Sequence, residues 1–213
     1  PGHWLLFAIL SAAAGTVVWM GGDMIVVSAL GAPELVGVLV AIDIAAYLDA
    51  LLAAVGDRQV AAILCTHTHR DHSPGARLLQ AETGAPIVGC GPHRAARDLA
   101  EGEFPHLDAS ADRNHRPDRQ MGEGDTLEGP GWTLQAVETP GHTMNHLAFA
   151  LPEENVLFSG DHVMAWSTSI VAPPDGSMRA YMESLERLRE RDETLYWPGH
   201  GGPVRDPRRF VRG

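Results

Sequence analysis

Seven consecutive positions, Thr66-His67-Thr68-His69-Arg70-Asp71-His72, restrict this chain more than any other stretch of it. In extended backbone, side chains two apart point the same way, so His67, His69 and Asp71 can converge on one side. Imidazole and carboxylate are the donors that zinc and similar borderline cations take. Polar residues on a solvated loop would not need four such donors so close together, whereas a metal ion would.

Two metals sharing one site need six or seven protein donors, and this cluster offers four. Three further positions supply the difference. His142 lies in Thr139-Pro140-Gly141-His142-Thr143, Asp161 in Phe158-Ser159-Gly160-Asp161-His162, and His200 in Trp197-Pro198-Gly199-His200-Gly201. Each follows an apolar, β-rich run and adjoins glycine, which lets backbone turn sharply and approach closely. A Pro-Gly-His alone reads as a plain turn. The set taken together, in this chain order, reads as a metal centre.

With these motifs the chain resembles the metallo-β-lactamase superfamily, in its glyoxalase II and lactamase-like branch of single-domain hydrolases, from about Tyr47 to Pro203. The resemblance implies an α/β fold, a four-layer αββα sandwich, with two divalent metal ions at the strand-end rim between two sheets. Zinc is the metal it implies first, with iron or manganese as alternatives. By motif, His67, His69 and His142 hold one ion, Asp71, His72 and His200 the other, and Asp161 bridges both. Asp71 is also the implied catalytic residue, orienting the nucleophile. The segment from His162 to Gly176, with Trp166-Ser167-Thr168 and Pro173-Pro174-Asp175-Gly176, resembles the substrate-side loop of that branch. Physically, two ions ~3.5 to 4 Å apart can share a hydroxide, bring the pKa of its parent water towards ~7 and polarise an electrophile's oxygen. Each ligating histidine then needs a partner for its second ring nitrogen.

At 213 residues and 45% hydrophobic, the chain can bury a substantial core as one domain, read here as 1–213 with 1–43 atypical of the family. In the family a strand ending in Ile-Asp is followed closely by glycine, whereas here Ile42-Asp43 is followed by Ile44-Ala45. The net charge of −11 disfavours nucleic acid, whose phosphates are bound by clustered Lys and Arg. Cys65 and Cys90 both end apolar runs and read as buried free thiols, in keeping with a reducing, cytoplasmic setting. Trp4 to Gly22 carries no charge and approaches membrane-spanning length, but glycines interrupt it and no Lys or Arg precedes it. Strands of the first sheet are the favoured reading, with a signal or anchor as the alternative.

Strands are expected at Val36–Ile42, Val60–Cys65, Pro86–Cys90, Trp132–Glu138, His146–Leu151 and Asn155–Ser159, the last three each bringing its C-terminal end near a proposed ligand. Helical spacing runs through Tyr47, Leu48, Leu51, Leu52 and Val55. Ser73 is expected to cap a helix with Pro74 at its first position, running to about Thr83. Pro92–Glu101 reads as another helix. Met178, Tyr181, Met182, Leu185 and Leu188 form an amphipathic stripe read as core. Gly102–Gly131 reads as an ordered loop with a short strand, and its His106 and His115 as surface residues.

Water activated by such a centre attacks an acyl carbon or a phosphorus, and the ligands alone do not distinguish the two. The interval between Asp161 and His200 leaves no room for the extra domain that nucleases of the superfamily commonly carry there. No basic-aromatic stripe for single strands is evident. The expectation is therefore a zinc-dependent hydrolase of a small acyl substrate, thioester or ester. A single-strand endoribonuclease on the same fold is the alternative, and a non-hydrolytic or diiron redox module is the alternative of another class. Oligomeric state is left open.

Overall fold

The computed structural model describes residues 16–20, 23–27, 48, 52–53, 55, 60–98, 100–101, 111–129, 131–165 and 168–212. In chain order, β1 (Thr16–Met20) and β2 (Asp23–Val27) pair as an antiparallel hairpin. Then follow β3 (Ile63–Cys65), α1 (Ser73–Thr83), β4 (Ile87–Gly89), β5 (Arg119–Gln120), β6 (Thr126–Gly129), β7 (Trp132–Glu138) and β8 (Leu147–Leu151). The chain continues through β9 (Val156–Gly160), α2 (Met178–Arg189), β10 (Leu195–Pro198), β11 (Val204–Arg205) and α3 (Pro207–Phe210). β3, β4 and β5 form a parallel sheet in that order, while β11-β10-β9-β8-β7-β6 form a six-stranded one in which only β9 and β10 run parallel.

Alternation along the strands creates the layers. In β8, Leu147, Phe149 and Leu151 face one way, joining Leu134, Ala136, Val156, Phe158 and Trp197 against Ile63, Leu64, Ile87 and Val88 of the smaller sheet. Ala148 and Ala150 face the other way, with Val137, Leu157 and Tyr196, and Leu188 of α2 closes over them. α1 caps the smaller sheet through Ala76 and Leu79. The order is helix, sheet, sheet, helix, the four-layer αββα sandwich. A strand buried on both faces needs apolar residues at every position, which is how β8 reads. Each fully buried Leu or Phe contributes about 1.5–3 kcal/mol of transfer free energy.

Several expectations change. The N-cap of α1 is His72, with no side-chain bond, while Ser73 spends its hydroxyl on Asp112 at 2.9 Å. Residues 91–98 and 100–101 are not helical. Their polar groups have tertiary partners instead: Ala96 N–H donates to the Pro174 carbonyl, and Asn145 donates to those of Gly91 and Pro92. The stripe on α2 is core only in part: Leu188 is buried and Leu185 packs beside it, but the two methionines are not core. Met178 and Met182 are 58% and 49% exposed, and burial on that helix falls to Ser184 and Leu188. His115 is buried, not on the surface, and bonds the Cys90 carbonyl through Nε2 at 3.1 Å. Among the described residues of that loop, 111–129, there are two short strands, β5 and β6, where one was expected.

Both cysteines are free and buried as expected. Thr16–Met20 of the apolar N-terminal run is strand. No helix among the described residues is long and apolar enough to cross a membrane. Leu48, Leu52 and Val55 are helical, whereas Tyr47, Leu51, Val36–Ile42, Asp43, His106, Trp166 and Ser167 lie outside the described residues.

Candidate metal centre

The ligand loop runs from the end of β3 to the start of α1, and its backbone is fastened by a strand of the larger sheet and by the loop before β5. Leu147 N–H, at the start of β8, donates to the Thr66 carbonyl at 2.8 Å, and Asp112 N–H donates to that of Thr68 at 2.7 Å. The His69 carbonyl accepts from His72 and Ser73 as the helix begins. Alternation in the loop sends His67 and His69 one way and Thr68 the other. His142 follows β7, Asp161 follows β9 and His200 follows β10, so each remaining donor leaves the C-terminal end of a strand in the larger sheet.

All seven residues come together. His67 Nε2 and His69 Nδ1 are 3.1 Å apart, and His142 Nε2 is 2.9 Å from the same His69 atom. His200 Nε2 lies 3.3 Å from Asp71 Oδ2 and 3.2 Å from Asp161 Oδ2, and His72 Nε2 lies 3.6 and 3.4 Å from the same two oxygens. Asp161 Oδ2 is also 4.0 Å from His67 and 3.8 Å from His142, so one oxygen stands amid both groups. Within this set, three-residue groups that could hold an ion are His67-His69-His142, His67-His72-Asp161 and Asp71-His72-His200. Asp71 alone has an exposed side chain, at 41%, where those of His67, His72, His142 and Asp161 are buried.

Proton affinities divide the cluster. Burial, reinforced by the neighbouring imidazoles, pushes His67 well below its usual value and His69 down to about 3, and burial lowers His142 as well. These three are neutral, with lone pairs to offer. Burial opposes charge on His72 and His200 too, but Asp161 and Asp71 outweigh it, raising His72 and taking His200 up to about 10. Burial likewise works against an ionised Asp161, yet His72 and the bonds from His200 and His72 hold it well below the carboxylate range.

The donor set fits divalent cations. Nitrogens bound tetrahedrally at ~2.0–2.1 Å from zinc lie about 3.3 Å apart, close to the 2.9 and 3.1 Å separations around His69. Asp161 Oδ1 is buried with no hydrogen-bond partner among the described residues. Two of the second ring nitrogens are engaged as a metal site requires: His142 Nδ1 donates to the Ile170 carbonyl at 2.6 Å, and His67 Nδ1 bonds with the Thr66 hydroxyl at 3.0 Å, whereas His72 Nδ1 is buried with no hydrogen-bond partner among the described residues. Two glycines make room. A Cβ at Gly199 would strike Asp161 Oδ1, and one at Gly160, whose φ is +53°, would stand 2.6 Å from His146 Nε2.

Sequence reasoning missed the supporting residues. His146 Nδ1 bonds with the Thr139 hydroxyl at 2.7 Å, and its Nε2 accepts the Asp161 backbone N–H at 3.1 Å, fixing that loop from beneath. Ser169 donates to the Asp161 carbonyl at 2.6 Å. Thr68, His93, Asn145 and Asp175 form a further chain behind the ligand loop. Local signals existed only in part: Thr68 lies inside the opening motif and Asp175 in Pro173-Pro174-Asp175-Gly176, while His146 stands four residues after His142, and nothing local marks His93.

Comparison with known proteins gives a consistent result. Residues 38–200 match the family model of the metallo-beta-lactamase superfamily. An atrochrysone carboxyl ACP thioesterase from Paecilomyces divaricatus is 31% identical over 161 residues, covering 75% of this chain and 44% of that protein. A hydroxyacylglutathione hydrolase from Cereibacter sphaeroides is 31% identical over 155 residues, covering 70% and 52%. The chain thus spans about half the length of these relatives. The crystal structure of the metallo-beta-lactamase family protein TTHA1429 from Thermus thermophilus superposes with a TM-score of 0.65 at 22% identity, over 97% of this chain and 77% of that one. TTHA1623 in a di-iron-bound form gives 0.62 at 26%, over 96% and 97%.

Proposed function

The chain belongs to the metallo-beta-lactamase superfamily, and from that premise we propose a dinuclear metal-dependent hydrolase of a small acyl substrate, a thioester or ester, with residues 1–213 as one domain. The observation that carries this reading is the position of Asp161 Oδ2 within 4.0 Å of His67, His72, His142 and His200, a carboxylate between two groups of donors. His67, His69 and His142 would hold one ion, Asp71, His72 and His200 the other, and Asp161 both. The ions, zinc first, would supply the acidity that readies a water molecule and the positive charge that draws electrons from the carbonyl.

The protein's own groups do the rest. Asp71 reaches the open side of the cluster while remaining ionised, its pKa held down by His72 and by the His200 bond against the effect of burial. Its carboxylate can therefore accept a hydrogen bond from the incoming water and aim it. Oxygen joins the acyl carbon, the carbon–sulfur bond breaks and the thiol departs with a proton. The ring of His142, locked by the Ile170 carbonyl, keeps the neutral half of the site rigid. Thioesters are preferred over other acyl compounds because both relatives compared above are named for thioester cleavage.

The experiment is elemental analysis followed by S-lactoylglutathione, acyl-pantetheine thioesters, lactones, β-lactams and short RNAs, each with and without chelator. Chelator-sensitive thioester or ester hydrolysis is expected; RNA cleavage alone would shift the reading to the endoribonuclease alternative. A second reading is favoured by the di-iron form of TTHA1623. Bound iron with no turnover of any ester would select that redox module instead.

A further inference from the structure

Behind the ligand loop lies a buried chain of polar side chains that plays no part in the chemistry above. Asn145 Nδ2 donates to the Thr68 hydroxyl at 3.1 Å, Thr68 Oγ1 and His93 Nδ1 are 3.0 Å apart, and His93 Nε2 and Asp175 Oδ1 are 3.2 Å apart. One order of protons satisfies each link: Asn145 gives to Thr68, Thr68 to His93, and His93 to Asp175. The side chains of His93 and Asp175 are 3% and 7% exposed, and Thr68 is fully buried. Hydroxyl, imidazole and carboxylate in this order suggest a nucleophile, but no substrate can reach a Thr68 with no exposed surface. Asp175 Oδ2 has no partner among the described residues, so His93 is the one hydrogen bond they supply to a buried carboxylate. Such an arrangement costs stability and calls for a functional reason.

The ends of the chain supply that reason. Thr68 sits between His67 and His69. Asp175 closes the segment 168–177, whose Ile170 carbonyl locks His142, and which is tied down by Gly176 N–H to the Ala172 carbonyl and Ser177 N–H to that of Gly141. His93 is thus a strut between the piece bearing two neutral imidazoles and the piece orienting the third. The geometry points to His93 and Asp175 as positioning residues that set the coordination geometry chiefly of the His67-His69-His142 group, since the same segment reaches Asp161 only at its backbone carbonyl, through Ser169, an inference that rests on the metal-binding reading above.

Zinc affinity at each site is measured by competition with a chromophoric chelator, and the coordination by the visible spectrum of the cobalt-substituted protein. Asp175→Ala is expected to weaken one of the two zinc ions by ~10- to 100-fold and to shift the cobalt band. Asp175→Asn, whose amide oxygen still accepts from His93, is expected to recover most of that loss, with the metal-free melting midpoint near that of the unaltered protein. Unchanged affinity for both ions in Asp175→Ala overturns the proposal. Equal weakening of both ions with a parallel fall in the metal-free midpoint overturns it too, since that is general loosening. Should Asp175→Ala fail to fold, His93→Gln carries the same comparison. An unaltered protein that takes up no divalent ion defeats the metal reading itself, and does so before any substitution is made.

Discussion

Asp161 faces four imidazoles at once, more than any other carboxylate among the described residues. Replacing it with Asn removes the charge that His72 and His200 face, so both bound metal and hydrolytic rate are expected to fall, the rate by roughly 10-fold or more; full metal content with undiminished turnover would refute the bridging role. Cys65 makes the contrast. Burial pushes its thiol up to about 12, with Asp112 adding to the effect, so it is inert at neutral pH. Cys65→Ser is accordingly expected to keep kcat within about twofold, checked by steady-state kinetics alongside a melting curve. That these seven donors would meet was legible from residue type and spacing, because imidazoles and carboxylates beside strand ends are the pattern that a pair of cations would ask for. Their supports were not legible: His93 and Asp175 stand 82 residues apart in sequence and meet only through the fold. A lone histidine in a loop carries no local pattern, which is also why His115 read as a surface residue.

Among the elements, those buried on both faces were the easiest to read. β8 is apolar throughout, and its alternation of large Leu and Phe with small Ala is the reason α2 can lie close to one side. α2 forms where its periodicity placed it, but the burial of its methionines was misjudged, because helical spacing marks a stripe without saying how wide the covered part is. Met178 and Met182 lie beyond the ridge that touches the sheet. Leu188→Ala should therefore lower stability by ~2–5 kcal/mol, and Met182→Ala by less than ~0.5 kcal/mol, both measurable by denaturant titration. Comparable losses at the two positions would contradict this packing. The segment after β4 failed as a helix for a different reason: its backbone and side chains are committed to partners from 144–145 and 174, interactions invisible to any local window.

Taken as a whole, the molecule stores protons unevenly. Without metal, His200, taken up to about 10, holds a proton in the folded state that the unfolded chain releases near 6.5, so its contribution to stability is complete below 6.5 and fades as pH rises towards 10. His67, His69 and His142 act oppositely, since their depressed values cost stability as pH falls through 6.5. Divalent ions binding there would displace protons from His200 and His72 and none from His67, His69 and His142. Titration calorimetry near neutral pH in buffers of differing ionisation enthalpy is expected to show proton release with the ion taken by Asp71, His72 and His200, and close to none with the other. Equal release from both would contradict the division. The placement of the donors along the chain also has a consequence for biosynthesis. Of the seven donors His200 is made last, after β3 to β10, so the Asp71-His72-His200 group is the last to be complete as the chain is synthesised, whereas His67, His69 and His142 can already meet before it.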